Sequence, residues 1–207
     1  MCNLYRLTKT TAEVANWFSA IEQLAGANFA GEVFPGTPGM VVTEGALVSM
    51  SWGFPLQRTG SKGQALKPKP VNNTRADKLD GFFWRYSFAE RRCLIPLNAW
   101  AEAEGPRGGK TRSWLSLPDA PLFACAGIWR DSDEWGRCYS MVMTDACGVA
   151  ADCHDRMPVI LSASDYAIWT AGEPEAARAL CRPWEGPLTL ERTDEPWAGG
   201  AAQPPLL

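Results

Sequence analysis

The stretch CLIPLNAWAEAEGPRGGKTRSWLSLPDAPLFACAGIWRDSDEWGRCYSMVMT, residues 93–144, decides the fold class. It contains four short apolar runs, at 93–103, 111–117, 121–130 and 137–144. Between them stand turn clusters such as EGPRGGK (104–110) and RDSDEWG (130–136). Gly, Pro and Asp supply the backbone angles that turns need, so such punctuation predicts consecutive short strands joined by tight connections. The middle of the chain therefore reads as an antiparallel sheet.

Upstream, TAEVANWFSAIEQL (11–24) places Val14, Trp17, Phe18, Ile21 and Leu24 on one helical face, with Thr10 and Glu13 spaced for a capping box. GEVFPGTPG (31–39) reads as a loop. MVVTEGALVSMSW (40–52) reads as a hairpin turning near Glu44-Gly45. Residues 55–72, with four Lys/Arg and three prolines, predict a long loop. Residues 75–90 predict a helix broken around Gly81. Downstream, MPVIL (157–161) predicts a strand, ASDYAIWTA and EPEAARALC helices, and LTLERT (188–193) a last strand. The expected fold is a single α+β domain over 1–196, mainly antiparallel strands with flanking helices, and a flexible tail over 197–207.

Composition narrows the function. The chain has 207 residues, 46% hydrophobic and 21% charged, enough for one core and too apolar for wholesale disorder. A net charge of −3 excludes a uniformly basic nucleic-acid binder, so any DNA contact must use a local patch. Ten tryptophans suit either a core or a base-stacking groove. The start, MCNLYRLTKT, lacks an apolar signal core, and no run of about 18 apolar residues follows. A cytoplasmic protein with no membrane association is expected. The seven cysteines, at 2, 93, 125, 138, 147, 153 and 181, include no Cys-x-x-Cys pair, and His154 is the only histidine. An odd count in a reducing compartment argues against a disulfide framework, and neither metal site nor cofactor is expected.

Position 2 differs chemically from the other six cysteines. A small residue after Met1 favours methionine removal, which would leave a free α-amine beside a thiol. An internal cysteine offers only an amide nitrogen with a delocalised lone pair. A 1,2-aminothiol condenses with an aldehyde to an imine, and the thiol then closes a thiazolidine ring. The amine ionises near pH 8, leaving a useful neutral fraction under physiological conditions. Alone, Cys2 is modest evidence.

Further segments add to it: Ser51-Trp52-Gly53-Phe54, VNNTRAD (71–77), RRCLIPLNAWAE (91–102), the Thr144 region and HDRMPVIL (154–161). With Met1-Cys2, and in this order, they resemble the SOS-response-associated peptidase (SRAP) family of abasic-site processing proteins, across roughly residues 1–165. The family's Asn-Ala-Arg-Ala-Glu segment corresponds to Asn73-Thr74-Arg75-Ala76-Asp77. Its glycine–aromatic–Tyr-Glu-Trp segment corresponds to Ala99-Trp100-Ala101-Glu102-Ala103.

What the resemblance implies is a barrel-like α+β domain, expected to be monomeric, that crosslinks abasic sites in single-stranded DNA through Cys2. Glu102 would act as general acid/base, Asn73 would fix the attack geometry and His154 would shuttle a proton to the opened sugar. Pro35, Trp52, Arg75, Thr144 and Arg156 would line the DNA path, Trp52 (with Phe54) by stacking and the arginines by phosphate contacts. Singly, each has a structural alternative: a solvent-facing Glu102, a turn-forming Asn73, a strand-opening His154, or Arg75 paired with Asp77 or Asp80. A cysteine peptidase using Cys2 and His154, and a non-catalytic DNA reader, are the competing functions. The chain departs from the family's Cys-Gly-Arg start with Asn3 and Leu4, and lacks the aromatics beside the glutamate, having Ala101 and Ala103. Arg6 is a candidate substitute for the missing cation.

Overall fold

The computed structural model describes residues 2–24, 29 and 31–197. Strand β1 (Tyr5–Arg6) precedes helix α1 (Thr11–Trp17). Then come β2 (Ile21–Glu22), β3 (Glu32–Val33), β4 (Pro38–Thr43), β5 (Ala46–Trp52), β6 (Phe54–Thr59), β7 (Ala65–Val71) and β8 (Asn73–Arg75). A 3-10 turn at Ala76–Lys78 leads to α2 (Arg85–Glu90), β9 (Arg92–Leu97), β10 (Ala99–Glu104), β11 (Thr111–Ser116), β12 (Phe123–Arg130) and β13 (Cys138–Asp145). The chain finishes through α3 (Gly148–Ala151), β14 (Arg156–Pro158), β15 (Ile160–Leu161), α4 (Tyr166–Ala171), α5 (Pro174–Ala179) and β16 (Thr189–Pro196). This is the expected α+β class, dominated by antiparallel strands.

One sheet runs β16-β11-β10-β1-β3, antiparallel throughout. In the other, β5-β4-β9-β12-β13 follow in order, and β13 returns to β5 through a short parallel pairing, Cys138 to Ser51 and Tyr139 to Trp52. That ring is the barrel-like part of the fold. The main core of the molecule holds Trp52, Trp100, Trp169, Tyr5 and Tyr139, all wholly buried. Tyr5 meets Trp52 edge-on with centroids 5.0 Å apart, and its hydroxyl lies 2.6 Å from that of Tyr139. Gly39 packs so tightly on both phenols that a Cβ there would collide with them.

The RRCLIP string has a structural job. Arg92, 5% exposed, donates through Nη1 to the Phe88 and Ala89 carbonyls at 2.6 and 2.9 Å. Its Nε donates to Trp169 O at 2.5 Å and Nη2 to Gly172 O. One guanidinium thereby satisfies terminal carbonyls of both α2 and α4, groups that a helix cannot satisfy internally.

Four expectations need correction. The helix over 11–24 keeps its capping box at Thr10 and Glu13 but ends at Trp17, because Ser19 turns to a φ of 50°. Ile21 instead enters β2 beside Ala46, and Trp17 and Ile21 are 51% and 70% exposed rather than core. The loop over 31–39 contains β3, which pairs with β1, and β4 begins at Pro38. Residues 55–72 are mostly a hairpin, β6 against β7, closed through Gly60 and Gly63. Its prolines are tolerated because each strand has an open edge. The helical stretch over 75–90 is a 3-10 turn and the short α2. The 40–52 hairpin turns at Glu44-Gly45 as expected, both with positive φ. Of the expected tail, Trp197 donates its backbone N–H to Lys110 O at 2.8 Å and packs near Leu4 and Trp114, while 198–207 lie outside the described residues. Among the described residues no helix is long and apolar enough to cross a membrane.

Candidate functional site around Cys2

Strand β1 fixes the start of the chain against β10, with Tyr5 opposite Trp100 and the Ala101 N–H donating to Leu4 O at 2.9 Å. On β10, Trp100 faces the main core, so Glu102, two residues on, shares that face, while Ala99 and Ala101 turn to a second cluster with Leu4 and Trp114. Glu102 is therefore buried, at 3% exposure, and is not the solvent-facing residue of the alternative reading. Burial pushes its carboxyl up to about 7.

Cys2 is itself wholly buried. Its thiol points to Leu4 O at 3.5 Å, and burial, with the Glu102 charge second, drives its pKa well above the ordinary thiol value. Its carbonyl is gripped by two side-chain amides, Asn73 Nδ2 at 2.6 Å and Asn72 Nδ2 at 2.9 Å. Asn72 also donates to Asn3 Oδ1 at 3.1 Å. The Asn72 backbone is held in turn, its carbonyl accepting from Trp52 Nε1 at 3.0 Å and Met141 N at 2.9 Å. The Asn73 amide oxygen is buried and has no hydrogen-bond partner among the described residues.

Sequence reasoning missed Asn72, since an asparagine in a turn-prone stretch looks like a backbone choice. Its partner is Asn3, one of the departures from the family pattern. The other departure, Leu4, is buried against Ala99, Ala101 and Trp114, an apolar contact that an arginine would disturb. Arg6 lies 3.9 Å over the Trp114 ring and 3.3 Å from Glu32, so it is engaged elsewhere.

The segment carrying His154 reaches β10 through Cys153, whose thiol lies 3.4 Å from Glu104 Oε2. Glu102 also feels the charge of Asp155. Burial, above all, lowers the His154 pKa. The Arg156 N–H points to His154 Nδ1, 3.0 Å away. Asp155 Oδ1, 2.6 Å from the same Nδ1, favours the ring once it gains a second proton.

Arg75, Thr144 and Arg156 come together on β8, β13 and β14, three adjacent strands. Both arginines are already paired. Arg75 forms a two-pronged bridge to Asp77 at 2.8 and 2.7 Å, as its structural alternative foresaw, and Arg156 meets Asp145 at 2.6 Å. The carboxylates of both bridges are well exposed, so each bridge contributes about 1 kcal/mol or less and a phosphate can displace it. Thr144 is buried opposite Met157. Pro35 is half-buried before Gly36, whose N–H donates to Trp52 O at 2.7 Å.

Trp52 departs from its expected role. It is wholly buried between Tyr5 and Tyr139, and Phe54 is equally buried against Phe83 and Trp84. Neither ring presents a face on which a base could stack. The seven cysteines are free thiols, and among the described residues no three His, Cys, Asp or Glu side chains group to hold a metal.

The family described as SOS response associated peptidase (SRAP) matches residues 1–194. A solved protein from Bordetella bronchiseptica superposes with a TM-score of 0.78 at 22% identity, covering 93% of this chain and 99% of the other. One from Bacteroides thetaiotaomicron gives 0.75 at 17% identity, covering 92% and 91%. A phage-related protein of Bordetella bronchiseptica gives 0.68 at 19%, covering 93% and 94%. These likenesses establish the shared fold. No curated protein matches the chain significantly.

Proposed function

The chain belongs to the SOS response associated peptidase (SRAP) family, and on that premise we propose that it captures abasic sites in single-stranded DNA as a thiazolidine at Cys2. The observation that carries this reading is the double amide grip on the Cys2 carbonyl beside a buried carboxyl that ionises near neutrality.

Loss of Met1 turns the Cys2 nitrogen from an amide into a primary amine. The neutral amine attacks C1 of the ring-opened abasic sugar to give a carbinolamine, which loses water to form an imine. The thiol then adds across the C=N bond, its sulfur bonding to C1 and its proton passing to nitrogen. One water is released in all. Glu102, ionising near 7, can accept a proton from the amine and return one to the departing hydroxyl. The two amides stop rotation of the Cys2 carbonyl and so hold amine and thiol toward one reacting carbon. The Asn73 amide oxygen, buried and without a hydrogen-bond partner among the described residues, can accept from the amine or a sugar hydroxyl. His154 can pass a proton to the O4′ alkoxide released when the sugar ring opens.

The titration pattern favours this chemistry over a Cys2–His154 peptidase. A cysteine nucleophile needs a thiolate beside an imidazolium, hence a depressed thiol and a raised histidine. Here burial drives both the other way. The test is incubation of the mature protein with an oligonucleotide bearing one abasic site, followed by a denaturing gel. A slow-migrating band is expected with wild-type protein, and none with Cys2→Ala or with an N-terminally extended chain. A band that persists in either variant refutes the aminothiol route.

A further inference from the structure

We propose that the β6–β7 hairpin, Phe54–Val71, is a backbone-binding arm for the strand that carries the reacting nucleotide. Its choice of polyanion rests on the reading of Cys2 given above. The hairpin contains Arg58, Lys62, Lys67 and Lys69 and no acidic residue, in a chain whose net charge is −3. All four cations are exposed, and none forms an ion pair among the described residues. The two strands pair with each other and, among the described residues, with no third strand.

The acidic turn nearby does not cancel this charge. Glu134 accepts from Gln57, close to the root, and from Ser132 on its own turn, and Asp131 is bound to Arg91 and Arg137. The arm itself is anchored firmly. Phe54 is buried, Arg130 lies 4.4 Å over its ring and donates to Pro55 O at 3.3 Å.

Two features favour a nucleic acid over an acidic protein. The returning strand β7 ends at Val71, and the next two residues, Asn72 and Asn73, grip the Cys2 carbonyl. A strand lying along the arm is thereby led to the reactive residue. Lys67 and Lys69 alternate with half-buried Pro68 and so project from one side, about 6.7 Å apart by strand geometry, comparable to successive phosphates of an extended strand. Arg75 and Arg156 start out paired with carboxylates, so the arm adds positive charge that no ion pair holds among the described residues.

The probe is a dye-labelled, undamaged oligothymidine, which cannot crosslink, followed by fluorescence anisotropy across a salt series. Wild-type protein is compared with a variant carrying Arg58→Ala, Lys62→Ala, Lys67→Ala and Lys69→Ala, all at exposed positions. Losing four phosphate contacts should flatten the log–log salt slope by roughly 3 and weaken binding at least about tenfold at low salt. At limiting abasic oligonucleotide the variant should crosslink about tenfold more slowly than wild type, in step with its weaker binding. If wild-type protein forms no crosslink but the slope still flattens, the arm stands and the Cys2 reading falls. An unchanged slope overturns the arm, as does poly-glutamate binding to the hairpin as tightly as the oligonucleotide.

Discussion

Glu102 concentrates the account at the residue scale. Its carboxyl ionises near 4.5 when solvated and near 7 when folded, a difference of roughly 3 kcal/mol in the free energy of its charged form. Because the folded value is the higher, Glu102 favours the fold fully below about pH 4.5, and that contribution is lost as pH rises through 7. Glu102→Gln should therefore gain about 2–3 kcal/mol over wild type at pH 8 and little at pH 4, as read by urea unfolding at the two pH values. The same substitution should slow crosslinking. In wild type the rate should rise with pH as Glu102 ionises near 7 and can accept the amine proton, and again as the amine itself loses a proton near 8; the variant should keep only the second rise. Cys2, Asn73, Glu102 and His154 were legible as residue types in a recognisable order. Asn72 was not, since its two hydrogen bonds to residues 2 and 3 span about 70 positions of sequence. Nor was the burial of Trp52, because an aromatic beside a glycine reads alike whether it faces solvent or a pair of tyrosines.

At the scale of elements, the short segment between β7 and β8 carries the site. Asn72→Ala removes both hydrogen bonds to the chain start while leaving Asn73 in place. It should slow crosslinking at saturating DNA without weakening binding of undamaged DNA, and Asn72→Asp, which cannot donate, should not rescue it. A change in binding alone would contradict the positioning role. Arg92 makes a separate prediction, for stability. Arg92→Met should strand carbonyls of two helices and cost about 2–4 kcal/mol in chemical denaturation, with little effect on crosslinking at a temperature where the variant is folded. The strands over 93–144 were legible because their turns are so plainly marked. The β6–β7 hairpin was hidden by its prolines and lysines, which resemble a loop in composition while alternating in exposure like a strand. The early end of α1 was hidden too: Ile21 has the right period for the helical face, and the competing partner, Ala46 on β5, is distant in sequence.

For the whole molecule, the modest negative charge and the strand-rich fold bring a few groups into useful places. The five-stranded sheet supplies Glu102 and anchors the chain start; the barrel-like ring supplies Thr144 on β13, and β8 and β14, paired to that strand, supply Asn73 and Arg156; the basic hairpin runs directly into Asn72 and Asn73. The order of motifs along the chain announced this assembly, and pairing across distant strands completed it. The most direct measurement is intact mass, with peptide mapping, of the mature protein after reaction with an abasic oligonucleotide. The account predicts the protein mass without Met1, plus the oligonucleotide, less one water, with the modification at Cys2. An unmodified protein, or an adduct mapped to any other residue, would contradict it.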